Sequence, residues 1–344
     1  MTSLPSAGSV GIWTRSVLRR QPLLPVLVTL LVILAAWYDG FATVANLRNI
    51  AVQASPLTIA AVGMTYVIMT SGIDLSVGSM LFLAAAVESS SALIDQPAIG
   101  VFLAIGATGL LMGLVNGLAV AMTGVPALIV TLATMQAFRG AGGHITGQQD
   151  ISLPEGLRGI GTGSLLGVPT PILLAAVTAL CGGLVFSRTR FGRYVQAVGS
   201  NHGAAVDAGL PVRTVLIGAY ALAGVLAAVA SLTQTARLGA VQPSIGQGFE
   251  LTVITAVVLG GTSLFGGRGS IGGTVLGALV LTTVQTGLVF SGSSPYVFDI
   301  VRGGVLLVAV LAAGARWRVL ARTVGLTSRR RPANAGRADT AGSA

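Results

Sequence analysis

Thr214-Val-Leu-Ile-Gly-Ala-Tyr-Ala-Leu-Ala-Gly-Val-Leu-Ala-Ala-Val-Ala-Ser-Leu-Thr-Gln-Thr235 is a run of 22 residues without one charged side chain. About 20 such residues carry a helix across a hydrocarbon core of roughly 30 Å. Comparable windows fall near residues 22–38, 50–70, 76–95, 98–122, 125–141, 170–187, 251–266, 271–290 and 297–315. The sequence therefore predicts an all-α, polytopic membrane bundle of about ten transmembrane helices, with eight or nine still compatible with the pattern. Lipid offers no hydrogen bonds to an open backbone, so helices are the only spanning structure left once strand signals are missing.

Composition agrees. Of 344 residues, 53% are hydrophobic and 9% charged, and the mean hydropathy is +0.85. A soluble domain carries roughly 25% charged residues to keep its surface wet. The 48 glycines predict helices whose backbones approach closely. The single cysteine, Cys181, excludes an internal disulfide.

All 20 basic residues are arginine. The net charge of +10 resembles a nucleic-acid signal, but topology explains it better, and no nucleic-acid partner is expected. Threading ten spans from a cytoplasmic N-terminus puts Arg48, Arg139, Arg158, Arg237 and Arg302 outside and the other 15 inside. That is the asymmetry of the positive-inside rule, and it leaves both termini cytoplasmic. Residues 1–21 then form a cytoplasmic N-terminal segment, 22–315 the transmembrane domain, and 316–344 a cytoplasmic, largely disordered tail. The first apolar run is too long for the core of a signal peptide and is read as an uncleaved span.

Two segments read as non-helical, 142–169 outside and 188–213 inside. Within the second, Asn201–Ala208 has the makings of a short helix stopped by Gly209 and Pro211. A cytoplasmic loop bearing a short helix is a natural docking element.

Gly72-Ile-Asp-Leu-Ser-Val-Gly-Ser79 places Asp74 and Ser76 just before an apolar helix. Either residue can cap that helix by accepting from its unpaired amides; a role in gating or solute passage is the other reading. Gly109, Gly113 and Gly117 share one helix face, as do Gly273 and Gly277, and both faces predict close helix packing. Asn116 serves either as interhelical glue or as pathway lining. Glu88 lies about 18 Å along its span at roughly 1.5 Å per residue, past the midplane. A vestibule, a snorkelling or a structural role all fit, because a charge in lipid must face protein or water. Asp299 and Arg302, three residues apart, are expected to pair with each other.

Other chemistries are excluded. Gly267-x-Gly269-x-x-Gly272 matches the dinucleotide fingerprint formally, but no strand precedes it and no acid follows at the required distance. The chain has no lysine, so it cannot build the lysine-dependent phosphate loop of an ATPase. With only His144, His202 and one cysteine, a His/Cys metal site within the chain is not expected. An enzyme is not predicted, and a secondary carrier, which would usually show a chain of intramembrane acids that is lacking here, is the weaker alternative.

Gly63-Met-Thr-Tyr-Val-Ile, Gly72–Ser79, Asn116-Gly117, Val125–Thr134 with Thr131 inside it, Thr189-Arg-Phe-Gly-Arg193, Ala197–Asn201, Glu250-Leu251 and Gly260–Gly273 follow one another along the chain. In that order they resemble the ribose/xylose/arabinose/galactose family of ABC importer permeases. The resemblance spans residues 40 to 315. It implies a bacterial plasma (inner) membrane protein that takes up a monosaccharide or a related small polar solute as a homodimer. It implies as partners an ATP-binding cassette ATPase, where ATP and magnesium would sit, and an extracytoplasmic solute-binding protein. No cofactor is implied in this chain. By the same resemblance, Arg193, Asn201, Ala204, Ala205, Asp207 and Gly209 belong to the ATPase-coupling loop. Asp74, Ser76, Glu88, Asn116, Thr131 and Glu250 are candidates for the pathway or its gate. One departure is Thr252, where the family often carries an Asp.

Overall fold

A computed structural model describes residues 21–90, 93, 97–153 and 155–323. Residues 324–344 of the tail expected over 316–344, and residues 1–20 of the expected N-terminal segment, lie outside the described residues.

The helices in chain order are α1 (Leu23–Trp37), α2 (Val44–Met69), α3 (Val77–Glu88), α4 (Ala98–Thr123), α5 (Ala127–Thr146), α6 (Glu155–Thr162), α7 (Thr170–Arg188), α8 (Arg190–Ser200), α9 (His202–Asp207), α10 (Val212–Leu238), α11 (Phe249–Leu259), α12 (Ile271–Phe290) and α13 (Pro295–Thr323). Local chemistry sets their limits. Thr43, Thr189, Asn201 and Ser270 each accept a backbone N–H through the side chain to start α2, α8, α9 and α12. Pro97, Pro126, Pro169 and Pro211 precede α4, α5, α7 and α10, where a missing N–H costs nothing. Gly239 closes α10 at φ +72°, the left-handed conformation that glycine adopts without strain.

Among the described residues five helices are long and apolar enough to cross a membrane: α2, α4 from Ile99, α7, α10 and α12. α1, α3 and α11 are apolar but shorter. The chain is thus a helical membrane bundle. Strand is confined to two small pairs, Ile151–Ser152 (β1) with Ala240–Val241 (β4) and Ser164–Leu165 (β2) with Val168–Pro169 (β3).

The expectation of non-helical segments is corrected. Residues 142–169 hold the end of α5 and all of α6, and residues 188–213 are mostly α8 and α9. α8 is amphipathic: Gly192, Val195, Val198 and Gly199 are buried and Arg193 is exposed. A buried stripe of this kind stabilises a helix in a segment too polar to span. The last helix also continues to Thr323, beyond the expected end at 315.

α10 is the central helix, packed on α4, α2, α3, α6 and α8, while α2 also meets α7, α11 and α12. Glycine makes the tightest of these contacts possible. A methyl at Gly109 would strike the Gly224 carbonyl, one at Gly113 the Tyr220 carbonyl, and one at Gly117 the Ile217 backbone, all on α10. Gly273 and Gly277 stand in the same way against Gly260 and Ala256 of α11.

α3 has 12 residues and α11 has 11, so each rises only about 16–18 Å. A non-helical stretch precedes each, and the first turn of α3 meets the stretch before α11: a methyl on Gly78 would overlap the Gly246 carbonyl, and one on Gly246 the Gly78 carbonyl.

Candidate translocation site

Two polar clusters lie at opposite ends of the bundle. The first surrounds the α2–α3 turn, at the end that also carries α8 and α9. There the Asp74 carboxylate accepts from the Ser76 backbone N–H at 2.8 Å and from the Ser76 hydroxyl at 2.6 Å. Asn116 of α4 donates to Ser76 Oγ at 2.8 Å and approaches both Asp74 oxygens at 3.4 Å. Thr131 of α5 donates to the Ile73 carbonyl at 3.1 Å. Asp74, Ser76, Asn116 and Thr131 are all fully buried. Asn116 Oδ1 and the Tyr220 hydroxyl, also buried, have no hydrogen-bond partner there.

The structure thus brings together four residues that the sequence singled out separately. Their arrangement differs from a simple cap: Ser76 occupies the N-cap position of α3 without a capping bond from its side chain. Asp74 instead organises the turn itself.

Glu88 is the last residue of α3. Its side chain is fully buried between α3 and α10, where Oε2 accepts from Thr235 at 2.8 Å. This is the structural-bond alternative, which satisfies the rule that a membrane carboxylate must face protein. Glu250, in the first turn of α11, lies beside Gly78, where a methyl would come within 2.5 Å of its Oε2. Arg139 of α5 donates to the Ile245 carbonyl at 2.7 Å and lies over the Phe82 ring at 4.7 Å.

The second cluster is an open cavity of about 480 Å³ at the opposite end. Ligand pockets commonly measure roughly 300–1,000 Å³. Its wall comes from α2, α10, the 242–247 stretch, α11, α12 and α13. Gln53, Gln234, Gln242, Gln247 and Gln285 face it together with Thr252 and Thr282. Each glutamine offers two donors and an acceptor without a charge, the complement of a hydroxyl-rich neutral solute. Arg302 donates to the Gly248 carbonyl at 3.0 Å and to Thr252 Oγ1 at 2.7 Å, and pairs with Asp299 at 3.0 Å. The expected Asp299–Arg302 pair is therefore present, and its arginine is also tied to α11.

Sequence reasoning missed the glutamines. A signal was available: Gln53, Gln234 and Gln285 are amides inside otherwise apolar helices. It also missed that Gly72-Ile-Asp-Leu-Ser-Val and Gly248-Phe-Glu-Leu-Thr-Val read alike and sit beside the two short helices.

Ala204 and Asp207 of α9, its N-cap Asn201 and Gly209 just beyond it are exposed, as is Arg193 on α8. Ala205 is the exception. It is buried with Val198 and Val212.

The family described as the permease component of the branched-chain amino acid transport system matches residues 46–310. A ribose import permease of Escherichia coli is 41% identical over 304 residues, covering 87% of this chain and 95% of the relative. The chain belongs to the ABC sugar-permease family. The permease is also 37% identical over 268 residues to a galactofuranose transporter permease of Escherichia coli, covering 77% of this chain and 78% of the relative. With a D-allose transport system permease of the same organism it shares 33% identity over 274 residues, 79% of this chain and 84% of the relative. No solved structure matches the permease.

Proposed function

We propose that the chain is the membrane-spanning subunit of a bacterial inner-membrane importer, moving a monosaccharide through the glutamine-lined cavity with ATP hydrolysed by a separate ATPase. One observation carries this reading: an amide-rich cavity, whose wall also holds Arg237, Arg302 and Asp299, in a chain whose relatives are named for ribose, galactofuranose and allose transport. Other small polar solutes remain the alternative cargo.

In this account both termini are cytoplasmic and ten spans are threaded as the arginine distribution requires. Non-helical backbone completes the crossings of α3 and α11, an arrangement tolerated where protein or a water-filled cavity surrounds it. The cavity then faces the outside, and α8 and α9 face the cytoplasm. A solute-binding protein delivers the sugar to the cavity, and a second copy of the permease completes the transporter. Two ATPase subunits close on ATP and move α9, where Ala204 and Asp207 are exposed between Asn201 and Gly209. The bundle rocks so that the cavity exchanges its opening between the two sides, a two-state transition. Asp74, Ser76, Asn116 and Thr131 close the cytoplasmic end, and Glu250 sits where the two short helices converge. ATP and magnesium belong to the partner, and the chain itself needs no cofactor or metal and is not an enzyme.

The test is uptake into proteoliposomes that hold the permease, the ATPase and the binding protein. Labelled ribose, galactose, allose and xylose are offered, with a nucleoside and an amino acid as controls. Uptake of at least one monosaccharide that requires ATP is expected. Uptake restricted to the controls would refute the sugar assignment, and uptake driven by an ion gradient without ATP would refute the importer.

A further inference from the structure

The end of α2 is clasped from two sides. From α8, Gly199 lies against the Met69 carbonyl, where a methyl would overlap it. The Gly199 carbonyl accepts from the Ser71 hydroxyl at 3.2 Å. From the α11–α12 connection, the Gly267 N–H donates to that Met69 carbonyl at 2.9 Å. The Phe265 carbonyl takes the Ser71 hydroxyl at 2.9 Å. Gly267 also stands against Ser200, the last residue of α8.

Three segments distant in sequence therefore meet through backbone atoms, with almost no flexible side chain between them. Such a junction has little slack, because close-packed backbone cannot be compressed. Ser71 holds φ +66°, a conformation that non-glycine residues seldom adopt. The conformation coincides with a hydroxyl bridging two segments at once. Three residues further along is Asp74, whose carboxylate organises the buried cluster with Ser76 and Asn116.

We propose that Ser71 and Gly199 are positioning residues that form the joint through which movement of α8 and α9 reaches the α2–α3 turn and the Asp74 cluster. This rests on the reading that a partner ATPase drives α9. A shift of α9 moves α8 through Asn201, their shared boundary. α8 carries Gly199, and Gly199 bears on the Met69 carbonyl and Ser71. The α11–α12 connection is held in the same clasp and moves with it.

The experiment measures solute imported per ATP hydrolysed by the reconstituted full transporter. Ser71→Gly removes the hydroxyl while keeping the left-handed backbone free of strain. Gly199→Ala forces the seam apart. Gly106→Ala on α4, where a methyl meets nothing within 4 Å, is the control. Ser71→Gly is expected to keep at least half of the ATPase rate and lower uptake per ATP at least threefold, and Gly199→Ala to lower it further. A joint that served only to hold the fold would lower the ATPase rate and uptake together. Should Gly199→Ala fail to assemble, Ser71→Gly alone decides. An unchanged ratio in an assembled Ser71→Gly transporter overturns the proposal. Absence of ATP-driven uptake by the unmodified transporter refutes the importer reading itself, a separate result.

Discussion

Arg302 of α13 donates to the Thr252 hydroxyl of α11 at 2.7 Å, at the wall of the cavity. The same guanidinium reaches the Gly248 carbonyl and the Asp299 carboxylate, so α13 is fastened to the start of α11 by one side chain. Under the proposed function a solute entering the cavity would meet this fastening, and its hydroxyl groups could replace Thr252 as acceptors.

Thr252→Val removes one acceptor of a charged donor, a loss of about 1.5–3 kcal/mol by the usual worth of such bonds. Uptake is expected to weaken through a higher KM with the permease still assembled. Thr252→Asp offers the guanidinium a charged partner and is expected to retain uptake. Saturation curves for both variants check this.

Asp74→Ala leaves the Ser76 N–H, the Ser76 hydroxyl and the Asn116 amide without their shared acceptor. Each buried group left unsatisfied costs about 1–3 kcal/mol, so the purified variant should melt several degrees lower or fail to assemble. Asp74→Asn retains an acceptor oxygen and should lose much less. Melting of the two variants in detergent, compared with the unmodified permease, is the measurement.

Gly113→Val drives a branched side chain into the Tyr220 carbonyl of α10. Overpacking a tight seam costs about 1–3 kcal/mol, and here the clash is with backbone, which cannot rotate away. A sharp fall in the amount of folded permease is expected. Gly106→Val on the same helix, in open space, should leave it unchanged, as size-exclusion profiles will report.

Gln285→Leu replaces an amide of the cavity wall by an apolar side chain of similar size. Imported sugar at low concentration should fall at least fivefold, with the ATPase rate in the absence of solute unchanged.

Much of this was legible in the sequence. Apolar windows long enough to span located the long helices, and the glycines at 109, 113 and 117 announced the α4 face that α10 covers. Asp74, Ser76 and Asn116 stood out as polar residues in apolar surroundings, and they do meet. What stayed hidden depends on distance along the chain. Nothing in the spacing of Gln53, Gln234 and Gln285 reveals that α2, α10 and α12 turn them toward one cavity. The helicity of 188–213 was underread because α8 is short and polar on one side; its apolar stripe of Val195 and Val198 was the available signal. For Glu88 the helical rise gave a depth and left the vestibule, snorkelling and structural roles open, because rise does not tell which neighbour seals the side chain, here Thr235.

The account stands on power entering through α9 from the cytoplasmic side. The most direct measurement is labelling of Ala204→Cys by a membrane-impermeant maleimide, in a Cys181→Ala background because the native cysteine is exposed. Labelling is predicted in inside-out vesicles, absent in right-side-out vesicles, and blocked when the ATPase subunit is bound. Labelling from the right-side-out face, or labelling that the bound ATPase leaves unchanged, would contradict it.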